Sequence, residues 1–255
     1  MSDQQRYAFH VDDNWDPASG EKARGNSTAF PLNVQYRVAS IAQYVKGDWL
    51  DLGCADGGYT EAILGAGASS VVGVDPEGDR IDEANRRQIP NASFLTFDGH
   101  TLPLEDDRFH GVFMNETMEH VFDERESLAE IHRVLHPDGV VVVISPNRWF
   151  PFEGHTTRIG KWTSRHPTPF IPWLPKRFSA PLVDARNYWP HELRQLISDS
   201  GFEIMKASFI WPVFEAVPWL PAPIIRFYQR HISLYARIPI LRRFGVSNLI
   251  VARRI

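Results

Sequence analysis

The chain has 255 residues, of which 43% are hydrophobic and 23% are charged, a composition typical of a soluble globular protein. Its net charge of −4 gives no indication of nucleic-acid binding, and its single cysteine excludes an intramolecular disulfide bond. No run of about 18 apolar residues that could span a bilayer is present, so we expect a cytoplasmic protein, or one held peripherally at the inner face of a membrane.

The predicted elements alternate between helix and strand along the first part of the chain. Residues 1–30 are polar and rich in turn formers, and we expect them to be loosely held or folded over a ligand. Apolar spacing predicts helices at residues 34–45, 60–64, 79–88 and 125–135. Apolar β-branched runs predict strands at residues 49–52, 70–74, 92–97, 111–114 and 140–145, with a turn at Pro137 to Gly139 before the last strand. This alternation predicts an α/β fold with a doubly wound, mostly parallel sheet.

Two segments interrupt the alternation. Residues 146–188 and 211–245 are rich in proline and aromatic residues and are too long to be simple connections, so we expect them to cover a binding site. A helix at 190–200 and a strand at 202–210 are predicted between them, and a last strand at 247–253 after them. We therefore predict a single domain over residues 1–255 that carries two insertions.

The turn after the first strand is the most informative segment of the chain. It reads Asp51-Leu-Gly-Cys-Ala-Asp-Gly57, and its glycines permit a sharp turn and a close approach of the backbone to a ligand. The first N–H groups of the helix that follows point toward such a ligand. The carboxylate of Asp51 suits a ligand with an ammonium group better than one with a pyrophosphate. Cys54 is predicted to be a small buried residue and not a nucleophile.

The ordered segments from Trp49 to Gly139 resemble the type 11 group of class I methyltransferases that depend on S-adenosylmethionine (SAM). The matching segments are residues 49–57, 72–75, 97–99, 102–109, 115–121 and 133–139. One departure is Ala55, which stands where the family usually has glycine. The resemblance implies a Rossmann-like fold with seven strands and an antiparallel last strand, SAM as cofactor, and methyl transfer as the activity.

The resemblance also implies roles for individual residues. Asp51 with Gly53, Cys54, Ala55 and Gly57 would hold the methionine end of SAM. Asp75, followed by Pro76, would accept hydrogen bonds from the ribose hydroxyls, and Asp98 with Gly99 would contact the adenine. Asn115 and Glu116 would complete the cofactor site. Two alternatives stay open: Asp75 could be a helix N-cap, and Asp98-Gly99 could be an ordinary turn.

Two clusters are candidates for the chemistry at the methyl acceptor. Glu116, Glu119 and His120 resemble the stretch that holds a divalent metal in the O-methyltransferases of ubiquinone biosynthesis, although these residues could instead order the loop beside SAM, and we predict no metal. Glu153 and His155 follow the fifth strand and would face the acceptor. We predict that His155 or His120 removes a proton from a hydroxyl acceptor.

Two rival functions and the nature of the acceptor stay open. An oxidoreductase that uses NAD would account for Gly53, Gly58 and Asp75, but not for the Asp98-Gly99 match. A non-catalytic SAM-binding protein would have no use for a base. Residues 205–255 hold eight Lys and Arg against one acid, with many aromatic residues between them. We therefore predict a small-molecule or lipid-linked acceptor and a membrane contact through the second insertion, the alternative being that its apolar face packs on the first insertion.

Overall fold

The structure is a computed structural model that describes residues 31–164, 167–212, 221–235 and 238–255. Residues 1–30, for which a loosely held segment or a cover over the ligand is expected, lie outside the described residues. The same is true of two parts of the second insertion, at 213–220 and 236–237. Within the described ranges, no helix has both the length and the apolar character needed to cross a membrane.

Helices and strands alternate over the first part of the described chain, as predicted. The elements are α1 (Leu32–Ala39), β1 (Asp48–Leu52), α2 (Gly58–Gly65), β2 (Ser70–Asp75), α3 (Gly78–Arg86), β3 (Ala92–Thr96), β4 (Phe109–Asn115), α4 (Glu124–Val134) and β5 (Leu135–Pro146). The first insertion contains the short strands β6 (Phe152–Glu153), β7 (Thr157–Ile159), β8 (Trp162–Ser164) and β9 (Thr168–Pro169), then the helical turn α5 (Lys176–Ser179). It is followed by α6 (Pro190–Asp199), β10 (Phe202–Ile210), α7 (Ala222–Tyr235), a 3₁₀ turn (Leu241–Phe244) and β11 (Ser247–Arg254).

Seven of these strands form one sheet in the order β10-β11-β5-β4-β1-β2-β3. Strands β5, β4, β1, β2 and β3 pair in parallel, and only β11 runs antiparallel to both of its neighbours. The predicted sheet and its antiparallel end are therefore confirmed. Strands β2 and β3 lie on one side of β1, and β4 and β5 lie on its other side, so the strand order reverses between β1 and β4. Open α/β sheets bind ligands at such a reversal, at the carboxyl ends of the strands.

Two predicted boundaries are wrong. The helix predicted at 34–45 ends at Ala39 and is followed by a separate 3₁₀ turn at Ala42–Tyr44. The turn predicted at 137–139 lies inside β5, as a bulge between two stretches of pairing with β4. Asp138 adopts a φ of 64° there, a left-handed conformation that lets the extra residues loop out while pairing resumes at Val140.

The sheet carries an apolar core on each face. On one face, Leu128 and Ile131 of α4 and Leu193 of α6 pack over the sheet, all with no exposed surface. On the other face, Trp49 lies so close to β4 that a Cβ on Gly111 would come within 2.3 Å of its ring. Because both faces are covered, ligands can reach the sheet only at its edges, and the carboxyl edge carries the candidate residues.

Candidate active site

The turn between β1 and α2 has the shape of a cofactor cradle. Gly53 and Gly57 adopt φ values of 80° and 78°, which favour glycine. A Cβ on Gly53 would lie 2.4 Å from Oγ1 of Thr117, so the turn packs directly against the segment after β4. Ala55 also has a positive φ of 47°, a conformation that costs an L residue about 1–2 kcal/mol. The alanine at this position therefore keeps the backbone shape that glycine would give.

Asp51 is a buried carboxylate at the base of this turn, with 2% of its surface exposed. Its Oδ2 accepts a hydrogen bond of 2.6 Å from Oγ1 of Thr60. Burial raises the pKa of Asp51 to about 7, although the Thr60 bond opposes part of that rise. A buried acid that forms no ion pair with the residues described here suits the ammonium group of the methionine end of SAM. Cys54, beside it, is free and buried, and burial raises the pKa of its thiol, as expected for a packing residue.

The side chain of Asp75 forms hydrogen bonds with the turn after β1 and with the turn after β2, both at the carboxyl edge of the sheet. Its Oδ2 accepts from the backbone N–H of Ala55 at 3.0 Å, and its Oδ1 accepts from the N–H of Glu77 at 3.0 Å. The N-cap of α3 is Glu77, so the alternative role of Asp75 as that cap is not what the structure shows. These bonds fix the carboxylate of Asp75, followed by Pro76, at the carboxyl edge of the sheet, and its contact with the ribose of SAM stays a prediction from the resemblance.

Replacing Asp75 with alanine is expected to weaken SAM binding by about 1.5–3 kcal/mol, the scale of lost hydrogen bonds to a charged group. Calorimetric titration with SAM measures the change. Asp79→Ala, an exposed acid on α3, is the control and should keep the wild-type affinity. An unchanged affinity in a folded Asp75 variant would remove this residue from the cofactor site.

The third strand ends in the Asp98-Gly99 turn. Oδ1 of the exposed Asp98 accepts from the backbone N–H groups of His100 and Thr101, each at 2.8 Å, and these bonds lower the pKa of Asp98. Gly99 has a φ of 84°. The segment is therefore a tight turn, and that turn holds an ionised carboxylate at the same edge as Asp51 and Asp75.

Arg37, which the sequence did not identify as a site residue, binds the side chains at the end of β4. Nη1 of Arg37 on α1 donates to Oδ1 of Asn115 at 2.6 Å and to Oε1 of Glu116 at 2.7 Å. The hydroxyl of Ser247 also donates to Glu116. Burial opposes ionisation of Glu116, but the charge of Arg37 and these hydrogen bonds lower its pKa below the usual range. Glu116 is thus a paired carboxylate within the protein.

The acceptor-side candidates meet in one cluster. Glu153 on β6 has 1% of its surface exposed, and its Oε1 lies 2.8 Å from Nδ1 of His155. Its Oε2 accepts from Nδ2 of Asn187 at 2.6 Å. Nε2 of His155 lies 3.9 Å from Oε1 of Glu119, and the ring centroids of His155 and His120 are 5.3 Å apart. The structure therefore brings together the ends of β4 and β6, which the sequence had suggested separately.

The cluster holds its members in different protonation states. Burial, aided by His155, lowers the pKa of His120 to about 4. Burial also opposes the charging of His155, but the hydrogen bond and charge of Glu153 outweigh it and raise the pKa of His155. The pKa of Glu119 is raised well above its usual value by burial and by Glu116. Neither carboxylate oxygen of Glu119 has a hydrogen-bond partner among the residues described.

The same cluster contains the donor set that a metal would use. Ligand atoms of Glu119, His120 and His155 all lie within 4.8 Å of one another. The alternative set of Glu116, Glu119 and His120 does not form such a group in the described part of the chain. Glu116 is instead held by Arg37 and Ser247, so a metal here would take His155 in its place.

Several known proteins that resemble the chain are methyltransferases by name. Residues 50–143 match the family Methyltransf_11, described as a methyltransferase domain. An uncharacterised 37.1 kDa protein in transposon TN4556 of Streptomyces fradiae is 35% identical over 102 residues, which are 38% of this chain and 30% of that protein. The O-methyltransferase cnsE of Penicillium expansum is 28% identical over 169 residues, or 63% of this chain and 54% of that enzyme. An uncharacterised methyltransferase of Mycobacterium ulcerans is 27% identical over 239 residues, or 92% of this chain and 87% of that protein.

The fold has counterparts among solved structures. A SAM-dependent methyltransferase from Mesorhizobium loti matches with a TM-score of 0.60 and 18% identity, over 86% of this chain and 96% of that one. At this identity the likeness shows the fold. The glycine turn, the buried acid of Asp51 and the carboxylate of Asp75 fit SAM, because they offer a close backbone approach and two acids at one edge. Residues 50–143 therefore match the methyltransferase domain of the Methyltransf_11 family, and the chain shares the fold of S-adenosylmethionine-dependent methyltransferases.

Proposed function

We propose that the chain methylates a hydroxyl oxygen of a small-molecule or lipid-linked acceptor, and that His155 removes the hydroxyl proton. The observation that carries this proposal is the Asn187–Glu153–His155 chain of hydrogen bonds beside Glu119 and His120. SAM supplies an electrophilic methyl group on a sulfonium, so the residues of the protein need only orient the acceptor and take its proton.

Glu153 sets the state of the proposed base. It accepts from the backbone N–H of His155 at 2.9 Å and lies 2.8 Å from Nδ1, which makes Nδ1 the protonated nitrogen of the neutral ring. Nε2 is then the nitrogen that can take a proton on the side of Glu119 and His120. In other enzymes with base-activated nucleophiles, a third group likewise orients the base that takes the proton. Here the carboxylate of Glu153 would orient the imidazole, and the imidazole would activate the acceptor hydroxyl.

The pKa values favour His155 over His120 as the base. A general base works best when its pKa is close to the working pH. The hydrogen bond and charge of Glu153 raise the pKa of His155 above 6.5, so its ring holds a proton more readily than an ordinary histidine, whereas His120, with a pKa of about 4, is a weak base at pH 7. His120 is better suited to donating or accepting a hydrogen bond that positions the acceptor.

The choice of oxygen as the methylated atom rests on this base. A hydroxyl must lose its proton to become a good nucleophile, whereas a neutral amine already carries a lone pair. The name of the Penicillium relative, an O-methyltransferase, supports the same assignment, although the chain spans only 54% of that enzyme's length.

A metal-assisted form of the same reaction is the second candidate. Glu119 is fully buried, and its oxygens lack a hydrogen-bond partner among the described residues. A divalent ion beside Glu119, His120 and His155 would satisfy that carboxylate and would lower the pKa of a bound hydroxyl. In that case His155 would be a ligand of the ion and not the base.

Product analysis tests the proposed chemistry. SAM with a carbon-13 methyl group is incubated with the enzyme and a metabolite or lipid extract, and the carbon-13 shift of each product shows whether the methyl group is on oxygen, nitrogen or carbon. We expect an O-methyl product in the apolar or lipid fraction. Transfer only to nitrogen or carbon would contradict the assignment to a hydroxyl acceptor.

The exposed apolar surface supports a hydrophobic acceptor and a membrane contact. On α7, Ile224, Phe227 and Leu234 are more than half exposed, and Ile240 is 72% exposed. Arginines are interspersed with these residues, as in helices that lie at a headgroup boundary. Part of the same insertion packs on the first insertion, because Phe244 meets Trp149 at a centroid distance of 6.3 Å. We propose that the exposed part of α7 faces a membrane surface.

A further inference from the structure

A cavity of about 360 Å³ lies apart from the acceptor cluster, at the outer end of the sheet. It is bounded by α6, β10, the start of β11 and the 3₁₀ turn at Leu241–Phe244. Ser247, which donates to Glu116, directly precedes Asn248 in the cavity wall, so the cavity lies at the same edge of the sheet as the candidate active site. Its size falls within the range of small-ligand sites.

The wall of this cavity is strongly cationic. Arg194, Arg242 and Arg243 line it together with His191, and the described part of the wall contains no Asp or Glu. None of the three arginines forms an ion pair with an acid of the described chain. All three side chains are exposed, whereas Arg37 is partly buried against Glu116. Three guanidinium groups at one concavity therefore lack a counter-charge among the described residues.

The cavity is also held in shape by packing and hydrogen bonds. The guanidinium of Arg243 lies 6.0 Å from the ring centroid of Trp149, and Trp149 packs edge-on against Trp189 at 5.2 Å. Nδ2 of Asn147 donates to the backbone oxygens of Arg243 and Gly245, both at 2.7 Å. These contacts fix the 3₁₀ turn that presents Arg242 and Arg243 to the cavity.

We propose that this cavity binds a phosphate group. Guanidinium groups match phosphate oxygens with paired N–H donors, and no acid among the described lining residues competes for those donors. The phosphate could belong to a soluble phosphorylated ligand or to the headgroup of an anionic lipid, since exposed apolar residues such as Ile240 and Leu241 adjoin the arginines. Binding of phosphate requires no methyl transfer, so this proposal stands independently of the proposed function.

A pair of charge-matched variants tests the site. Arg194→Ala/Arg242→Ala removes two cations from the cavity and retains Arg243 with its Trp149 contact. Arg86→Ala/Arg108→Ala removes two exposed cations, on α3 and just before β4, that line neither the cavity nor the proposed membrane face of α7. Inorganic pyrophosphate is titrated into each protein, and the fluorescence of Trp149 and Trp211 in the cavity wall reports binding. Thermal unfolding midpoints confirm that both variants are folded.

We expect the cavity variant to bind pyrophosphate at least about tenfold more weakly than wild type, because each lost arginine removes hydrogen bonds to a charged group. The control variant should bind within about twofold of wild type. Equal weakening in both variants would mean that only net charge matters, and no binding by the wild type to either pyrophosphate or vesicles would exclude the site.

Sedimentation with vesicles identifies the source of the phosphate. Vesicles of phosphatidylglycerol and phosphatidylcholine are compared with phosphatidylcholine alone at low salt, where screening is weakest. The ligand is a lipid headgroup if only the cavity variant fails to sediment with anionic vesicles and if pyrophosphate displaces the wild-type protein from them. If pyrophosphate binding depends on the cavity but vesicle binding does not, the ligand is soluble. The proposal would be overturned if both variants lost vesicle binding equally and the wild-type protein did not bind pyrophosphate.

Discussion

Replacing His155 with alanine is expected to lower kcat by about 10²–10⁴-fold, the usual contribution of a positioned base to proton removal. The loss should be in kcat more than in KM, because the base acts as the hydroxyl reacts. His120→Ala should have a smaller effect on the same rate, since the pKa of His120 is already about 4. His132→Ala, on α4, is a histidine control outside the cluster and should retain full activity.

The pH profile separates a base from a merely structural residue. His155 acts as a base only when neutral, so the rate should rise with pH through its pKa, which lies above the ordinary value of 6.5. Glu153→Gln removes the charge that raises this pKa, so the rising limb should move to lower pH. A loss of less than about tenfold in His155→Ala, in a folded protein that still binds SAM, would exclude the residue as the base. Loss of wild-type activity on chelation, restored by Mg²⁺, would instead favour the metal role of Glu119, His120 and His155.

Asp51 is expected to make a contribution to the stability of the SAM-free protein that falls as pH rises from about 4 to about 7, opposite in sign to that of His120, whose pKa is lowered to about 4. The pKa of Asp51 is about 7 when folded, against 3.8 when unfolded, so the folded state binds more protons across this window. The contribution of Asp51 to the free energy of unfolding then decreases with rising pH, by up to about 4 kcal/mol over the window. Denaturant unfolding at a series of pH values measures this slope.

Asp51→Asn isolates the contribution of this residue from other titrating groups. Asparagine keeps the size of the side chain and can still accept from Oγ1 of Thr60, but it cannot ionise. The variant should be more stable than wild type at pH 7, and the difference in free energy of unfolding between the two proteins should grow as pH rises from 4 to 7. Parallel curves for the two proteins would show that Asp51 does not have a raised pKa.

Local sequence determined the elements and the cofactor turn. The strands are short β-branched runs, and the turn after β1 needs glycine at positions 53 and 57 because of their positive φ. Both features depend on neighbours within a few residues, so periodicity and glycine spacing were enough to predict them. The same local rules misplaced the turn at 137–139, because pairing with β4 extends β5 through that segment and absorbs the extra residues as a bulge.

Only the tertiary structure decided which side chains meet. Arg37 and Glu116 are 79 residues apart, and Asn187 and Glu153 are 34 apart, so no spacing rule connects them. Their contacts exist because α1 crosses the carboxyl edge of the sheet and the first insertion folds back along it. The burial that follows from this packing then set the pKa values of Asp51, His120 and His155. The residue types could be read from the sequence, but their protonation states depend on desolvation and on charges brought close by the fold.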